Sequence, residues 1–137
     1  MQKILFLCTG NSCRSQIAEG WCRHLWQNRF DCYSAGTEKS RVNPYAIQVM
    51  QEKNIDITKQ FSKTLEDLPG VKFDLVFTLC GDAHEHCPIL PGAKIKHVGF
   101  SDPYVLAKGL GETESLPIFR QTRDEIFKFV QSLESHL

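Results

Sequence analysis

The chain has 137 residues, enough for one domain that buries a core of its own and folds without disulfide staples. Sixteen basic side chains balance sixteen acidic ones, so the overall charge selects neither a nucleic acid nor a membrane surface as partner, and any anion site has to be local. No run approaches the ~18 apolar residues of a membrane span, and the opening MQKILFLCTG has neither the apolar length nor the small-residue cleavage site of a signal peptide. A cytoplasmic protein is expected, one domain over 1–137. In that compartment six cysteines are reactive, metal-binding or buried rather than a disulfide framework.

KILFL at 3–7 reads as a buried strand. Helical spacing of Ile17, Ala18, Trp21, Cys22 and Leu25 predicts a helix over 15–27. FDCYSAG at 30–36 has strand composition and ends at Gly36. Asn43 and Pro44 have the residue types of an N-cap and a first helical position, with Ala46, Ile47, Val49 and Met50 on the apolar side. A short helix follows near 62–68, a strongly buried strand over 73–79 and a weaker one over 94–100. The Gly- and Asp-rich stretch 101–116 reads as the longest irregular loop. Ile118, Phe119, Thr122, Ile126, Phe129, Val130 and Leu133 then mark one face of a long helix over 117–135. Cys22, Cys32, Trp21 and Trp26 are expected in the core. The alternation predicts an α/β fold, a four-stranded parallel sheet with helices on both faces and right-handed crossovers. Ligands of such folds lie beyond the carboxyl ends of strands, where residues 8–15 and 80–87 fall.

CTGNSCRS at 8–15 joins the first strand to the first helix. Five residues separate Cys8 from Arg14, a length that can curl backbone N–H groups around a tetrahedral anion while the helix adds its positive end. Gly10 and Asn11 are residue types that tolerate the positive φ of such a curl. Arg14 brings a planar fork that binds two oxygens at once. The oxyanion loop is thus Thr9, Gly10, Asn11, Ser12, Cys13, Arg14 and Ser15. Cys8, at its base, is a nucleophile whose thiolate is favoured by the helix end, the N–H groups and the Ser15 hydroxyl. Cys13 is expected to be a small side chain facing the core.

CTGNSCRS at a strand end resembles the low-molecular-weight protein tyrosine phosphatase fold, and DPY at 102–104 supports this. The resemblance implies that Asp102 is the general acid. TLCGDAHEHCPILPG adds Cys80 and, seven residues on, Cys87, a pair that a phosphatase does not need. Together with SAG, VNPYAI, FDLVFTLC, CPILP and GFSDP, spread over about residues 3–130, the chain is similar to the thioredoxin-coupled arsenate reductases. That implies a redox relay. Cys8 attacks arsenate, with Arg14 steadying the charge and Asp102 protonating the departing oxygen. Cys80 attacks the Cys8 sulfur and releases arsenite, and Cys87 attacks Cys80. Disulfide α-carbons lie about 4.4–6.8 Å apart, whereas seven residues of ordered helix would span about 10 Å, so 80–87 is expected to bend or unwind when it oxidises. Arsenate and thioredoxin are the implied partners and a monomer the expected state. No cofactor is implied. The alternative is a tyrosine phosphatase with a redox-regulating cysteine pair.

Cys80, His84, His86 and Cys87 are possible zinc ligands, but C-x3-H-x-H-C matches no common structural site, so no metal is expected there. Some family members hold potassium near the loop with Asn, Glu, Ser and Asp. Asn11, Glu19 and Ser34 match three of these, and Lys63 stands at the Asp position, where its ammonium would take the ion's place.

Overall fold

Apolar runs interrupted by Gly, Asn and Pro give four short strands, and the computed structural model, which describes residues 1–80 and 92–137, lays them side by side in one parallel sheet. The strands are β1 (Gln2–Cys8), β2 (Phe30–Gly36), β3 (Leu75–Cys80) and β4 (Lys94–Phe100), in the order β2-β1-β3-β4. Between and after them come α1 (Arg14–Trp26), α2 (Pro44–Gln51), α3 (Pro103–Leu106) and α4 (Glu112–Gln131). β1 and β3 are central and buried along their apolar runs, whereas β4, at the edge, alternates between exposed and half-buried residues. The strong and weak strand signals thus correspond to centre and edge.

Because side chains alternate across a strand, each central strand serves two layers. Ile4, Phe6 and Phe77 face α1, α2 and α4, packing with Ile17, Met50, Phe119 and Phe129. Leu5, Leu7, Ala35 and Val76 face the other way, against Leu65 and Leu68 around a 3-10 turn at Leu65–Asp67. Phe129 is the aromatic hub, its ring centroid 5.0 Å from that of Phe77 and 6.0 Å from that of Phe100. No helix of the described residues is long and apolar enough to cross a membrane.

Asn43 caps α2 as its sequence suggests, its side chain accepting from Tyr45 N at 2.8 Å with Pro44 at the first helical position. The stretch 101–116 is less irregular than expected, since it holds α3 and the start of α4. α4 begins five residues before the expected start, with Glu112 and Glu114 in its first turn, and runs through Pro117. Acidic residues near a helix N-terminus are favourable. Pro117 is six residues into the helix, where it lacks only the N–H that would reach Thr113. The regular helix ends at Gln131, short of 135, and a 3-10 turn over Leu133–His136 follows. Leu25 does not join the core; it is exposed, and Trp26 instead packs on Phe30 and donates to Val130 O. Cys22 and Cys32 are buried as expected, and a disulfide joins them, tying α1 to β2 with the α-carbons 6.3 Å apart.

Glu52, at the C-terminal end of α2, ties that helix to α4. It accepts from Arg120 Nη2 at 2.9 Å and Arg123 Nη1 at 2.7 Å. The Arg120 guanidinium first, and Arg123 after it, hold its carboxyl below the ordinary value of 4.5. A depressed folded-state value contributes stability above the unfolded-state value and loses it as pH falls through the folded one. Glu52→Gln is therefore expected to lower Tm by about 2 °C at pH 7, with the difference closing below about pH 4. Thermal melts of both proteins across pH 3–7 check this.

Candidate active site

The carboxyl ends of β1, β3 and β4 converge on the loop that follows β1. Its peptide groups are all trans, and its carbonyls are met from outside. Cys8 O and Thr9 O accept from Thr37 N at 3.2 and 2.8 Å, Gly10 O from Ser62 Oγ at 2.9 Å, Asn11 O from Gln16 Nε2 at 3.1 Å and Ser12 O from Asn43 N at 3.0 Å. In a trans peptide the N–H points opposite to the carbonyl. Carbonyls turned outward therefore turn the N–H groups of Thr9 to Cys13 toward the concave side, where Cys8 lies. The N-terminal end of α1 adds the positive end of its dipole, and its first turn carries no acidic residue. Such a concavity has the shape and polarity that suit a tetrahedral oxyanion.

Asn11 takes the left-handed backbone the curl needs, with φ of 48°, whereas Gly10 does not. The glycine that the loop requires is Gly36, which pairs with Cys8 across β1 and β2. A Cβ there would lie 2.5 Å from Thr9 O and 2.7 Å from Asn11 N, both backbone atoms. In sequence Gly36 reads only as a strand end; its role depends on strand register.

Cys8 is a free thiol, buried, with its Sγ 2.8 Å from Ser15 Oγ. Arg14 is buried beneath the loop, its Nη1 donating to Phe100 O at 3.1 Å and Leu79 O at 3.4 Å. Its Nη2 meets Asp102 Oδ2 at 3.4 Å, while Asp102 Oδ1 caps α3 by accepting from Tyr104 N at 3.0 Å. The Cys8 thiol, the Arg14 guanidinium and the Asp102 carboxyl line one cleft of 490 Å³, with Tyr104 and Arg41 also on its wall. Cys13 lines it too, but burial, and then the charge of Asp102, pushes its thiol well up, which disfavours its thiolate.

Cys80 is buried at the end of β3. It therefore lies at the same edge of the sheet as Cys8, on the neighbouring parallel strand, with Leu7 paired to Thr78. Cys87, His84 and His86 lie outside the described residues.

Behind the loop, Asn11, Glu19, Ser34 and Lys63 come together. Lys63 Nζ is 3.5 Å from Glu19 Oε1, 3.4 Å from Ser34 Oγ and 3.2 Å from Phe61 O, and its backbone N–H donates to Asn11 Oδ1 at 3.0 Å. Arg23 holds the other Glu19 oxygen at 2.9 Å. A metal cation here would meet a fixed ammonium, so these residues do not fit one.

Residues 3–137 match the model of the low molecular weight phosphotyrosine protein phosphatase family. An arsenate reductase of Halalkalibacterium halodurans is 48% identical over 130 residues, covering 94% of this chain and 92% of its own. The chain belongs to this phosphatase family, in its arsenate reductase branch. A solved arsenate reductase in a phosphate-binding state superposes with a TM-score of 0.80 at 33% identity, covering 99% of this chain and 98% of that one. A thioredoxin-dependent arsenate reductase of Corynebacterium glutamicum superposes with a TM-score of 0.68 at 26% identity, covering 100% of this chain and 64% of that longer one.

The loop of this arsenate reductase relative works only if Gly36 leaves room for it. Gly36→Ala is expected to leave a cooperative melt but weaken phosphate binding about tenfold or more, because backbone atoms must move to admit the methyl group. Protection of Cys8 from iodoacetamide by added phosphate measures this, and wild-type protection in the variant would show that the close approach is immaterial.

Proposed function

We propose that the protein reduces arsenate to arsenite with its own thiols and is returned to the reduced state by thioredoxin, as a monomer in the cytoplasm. One observation carries the reading: two buried cysteines, Cys8 and Cys80, end neighbouring parallel strands beside an anion-binding loop. The names of the relatives support the substrate, and the thioredoxin dependence of the Corynebacterium glutamicum protein supports the reductant.

The Cys8 thiolate attacks arsenic, which the loop N–H groups and Arg14 hold by its oxygens. An As–O bond breaks, and Asp102 gives its proton to the oxygen that leaves as water. Cys80 then attacks the Cys8 sulfur. The As–S bond breaks with its electron pair staying on arsenic, arsenite departs, and a Cys8–Cys80 disulfide remains. Cys87 attacks Cys80 and frees Cys8, and the thioredoxin dithiol reduces the Cys80–Cys87 bond while itself becoming a disulfide. The relay requires the α-carbons of Cys80 and Cys87 to come within about 4.4–6.8 Å of each other.

Arsenate-dependent NADPH oxidation in the presence of thioredoxin and thioredoxin reductase tests the proposal. Cys8→Ser is expected to lower turnover by about three orders of magnitude or more. Cys80→Ser should stop reduction while leaving aryl phosphate hydrolysis intact, and Cys87→Ser should accumulate the Cys8–Cys80 disulfide. The 490 Å³ cleft, with Asp102 on its wall, also has room for an aryl phosphate, so weak phosphatase activity is expected. Brisk aryl phosphate hydrolysis with no arsenate-dependent oxidation would make the protein a phosphatase and reduce Cys80 and Cys87 to a redox switch.

With Lys63 beside Glu19 and Ser34, potassium is expected to have no effect on activity or Tm beyond that of sodium at equal ionic strength. A potassium-specific rise in either would show that a metal ion displaces the ammonium.

A further inference from the structure

Gln16 is wholly buried on the first turn of α1, touches no part of the cleft wall and has no role in the chemistry above. Its amide nevertheless makes four hydrogen bonds. Nε2 donates to Phe61 O at 2.9 Å, Asn11 O at 3.1 Å and Asn11 Oδ1 at 2.8 Å. Oε1 accepts from Gln60 Nε2 at 2.7 Å, and Gln60 Nε2 also donates to Gln16 O at 3.1 Å. The sense of these bonds is set by backbone atoms. Phe61 O, Asn11 O and Gln16 O can only accept, so both glutamine nitrogens must face as they do.

The same reasoning carries on to the nucleophile. Asn11 Oδ1 receives the Lys63 backbone N–H at 3.0 Å as well as Gln16 Nε2, so its Nδ2 must face Ser15, where it donates to Oγ at 2.7 Å. Ser15 Oγ has two neighbours, Asn11 Nδ2 and Cys8 Sγ at 2.8 Å. It accepts from the first and keeps its own hydrogen to donate, and a Cys8 thiolate, which has no hydrogen of its own, can only accept it. The chain from Gln60 through Gln16, Asn11 and Ser15 therefore ends with an O–H donated to Cys8 sulfur, a bond that favours the thiolate. Flipping any amide of the chain would set donor against donor or acceptor against acceptor.

We infer that Gln16 and Gln60 are positioning residues, an amide clasp that fixes the direction of the hydrogen-bond chain into Cys8 and holds Asn11 in its left-handed backbone. The inference rests on reading Cys8 as the nucleophile. It assigns to two uncharged side chains, one of them on a separate loop, the task of keeping a hydroxyl hydrogen aimed at sulfur.

Gln60 is half-buried, so it can be replaced without opening the core. Gln60→Met deletes the donor. Gln60→Glu keeps shape and turns the donor into an acceptor, which draws Gln16 Nε2 toward itself and sets Gln16 Oε1 against Asn11 Oδ1 and Phe61 O. The measurement is the pH profile of Cys8 alkylation by iodoacetamide, with the modified residue located by peptide mass, on protein whose melt is cooperative. At pH 6.5 the rate is expected to fall about threefold in Gln60→Met and about tenfold in Gln60→Glu, with both profiles displaced to higher pH. The Gln60→Glu effect should persist in 0.5 M salt, which would largely screen a simple long-range charge effect. Gln16→Met should match or exceed Gln60→Met.

Wild-type profiles in both folded Gln60 variants would overturn the clasp, as would an isosteric Gln60→Glu closer to wild type than Gln60→Met, the order that a space-filling role gives. A Gln60→Glu effect abolished by salt would also overturn it. Failure of the nucleophile reading looks different: wild-type Cys8 would then show no preferential alkylation at neutral pH and no protection by phosphate.

Discussion

An anion can be held by a short loop of peptide only if the loop's own carbonyls are sent elsewhere, and the site depends on that condition. Each carbonyl from Cys8 to Ser12 finds its donor outside the curl, on Thr37, Ser62, Gln16 and Asn43. These donors come from four places: the end of β2, the loop before the 3-10 turn, the first turn of α1 and the cap of α2. The loop is therefore shaped by the folded domain around it rather than by its own eight residues. Burial makes the arrangement stiff, because a carbonyl that lost its partner there would cost about 1–3 kcal/mol.

The same dependence explains what could be read from the sequence. The four-stranded parallel sheet follows from apolar runs and the alternation rule, and the proposed oxyanion loop is read from Cys8, Arg14 and Ser15 at a strand-to-helix junction, because those signals are local. Gly36, Gln16, Gln60 and Ser62 carry no such signal. Each matters for what it meets across 25 to 52 residues of chain, and nothing near it in the sequence says so. The misread stretch 101–116 has a different cause. Gly109, Gly111 and Pro117 argue locally against helix, while packing of Leu116 and Phe119 into the core, with Glu112 and Glu114 near the helix start, outweighs them.

Charge shows a similar contrast between the whole chain and the site. A formal net charge of zero gives an anion no long-range attraction, so the positive field has to be assembled locally from N–H dipoles, the end of α1 and Arg14. Behind the loop, Glu19 would oppose that field if it stood alone. Lys63 and Arg23 each take one of its oxygens. Two cations on one buried carboxylate leave the neighbourhood with a positive balance, and the Lys63 backbone spends its N–H on Asn11 in the same place.

Arg14 links the loop to Asp102 through one rigid group. Its guanidinium is planar, so anchoring Nη1 to carbonyls at the ends of β3 and β4 also fixes the direction of Nη2. Nη2 meets one Asp102 oxygen, and the other Asp102 oxygen caps α3. The carboxyl is thus held from both sides, and its position is tied to the two strands that also place Arg14. A change in the register of β4 would move the guanidinium, the carboxyl and the first turn of α3 together. The irregularity between Thr78 and Cys80, where β3 shifts register against β4, lies at this junction and brings Cys80 opposite Phe100, the residue whose carbonyl anchors Arg14. Thiol, guanidinium and acid therefore share one mechanical support, which is why the chemistry of this fold belongs at the carboxyl edge of its sheet.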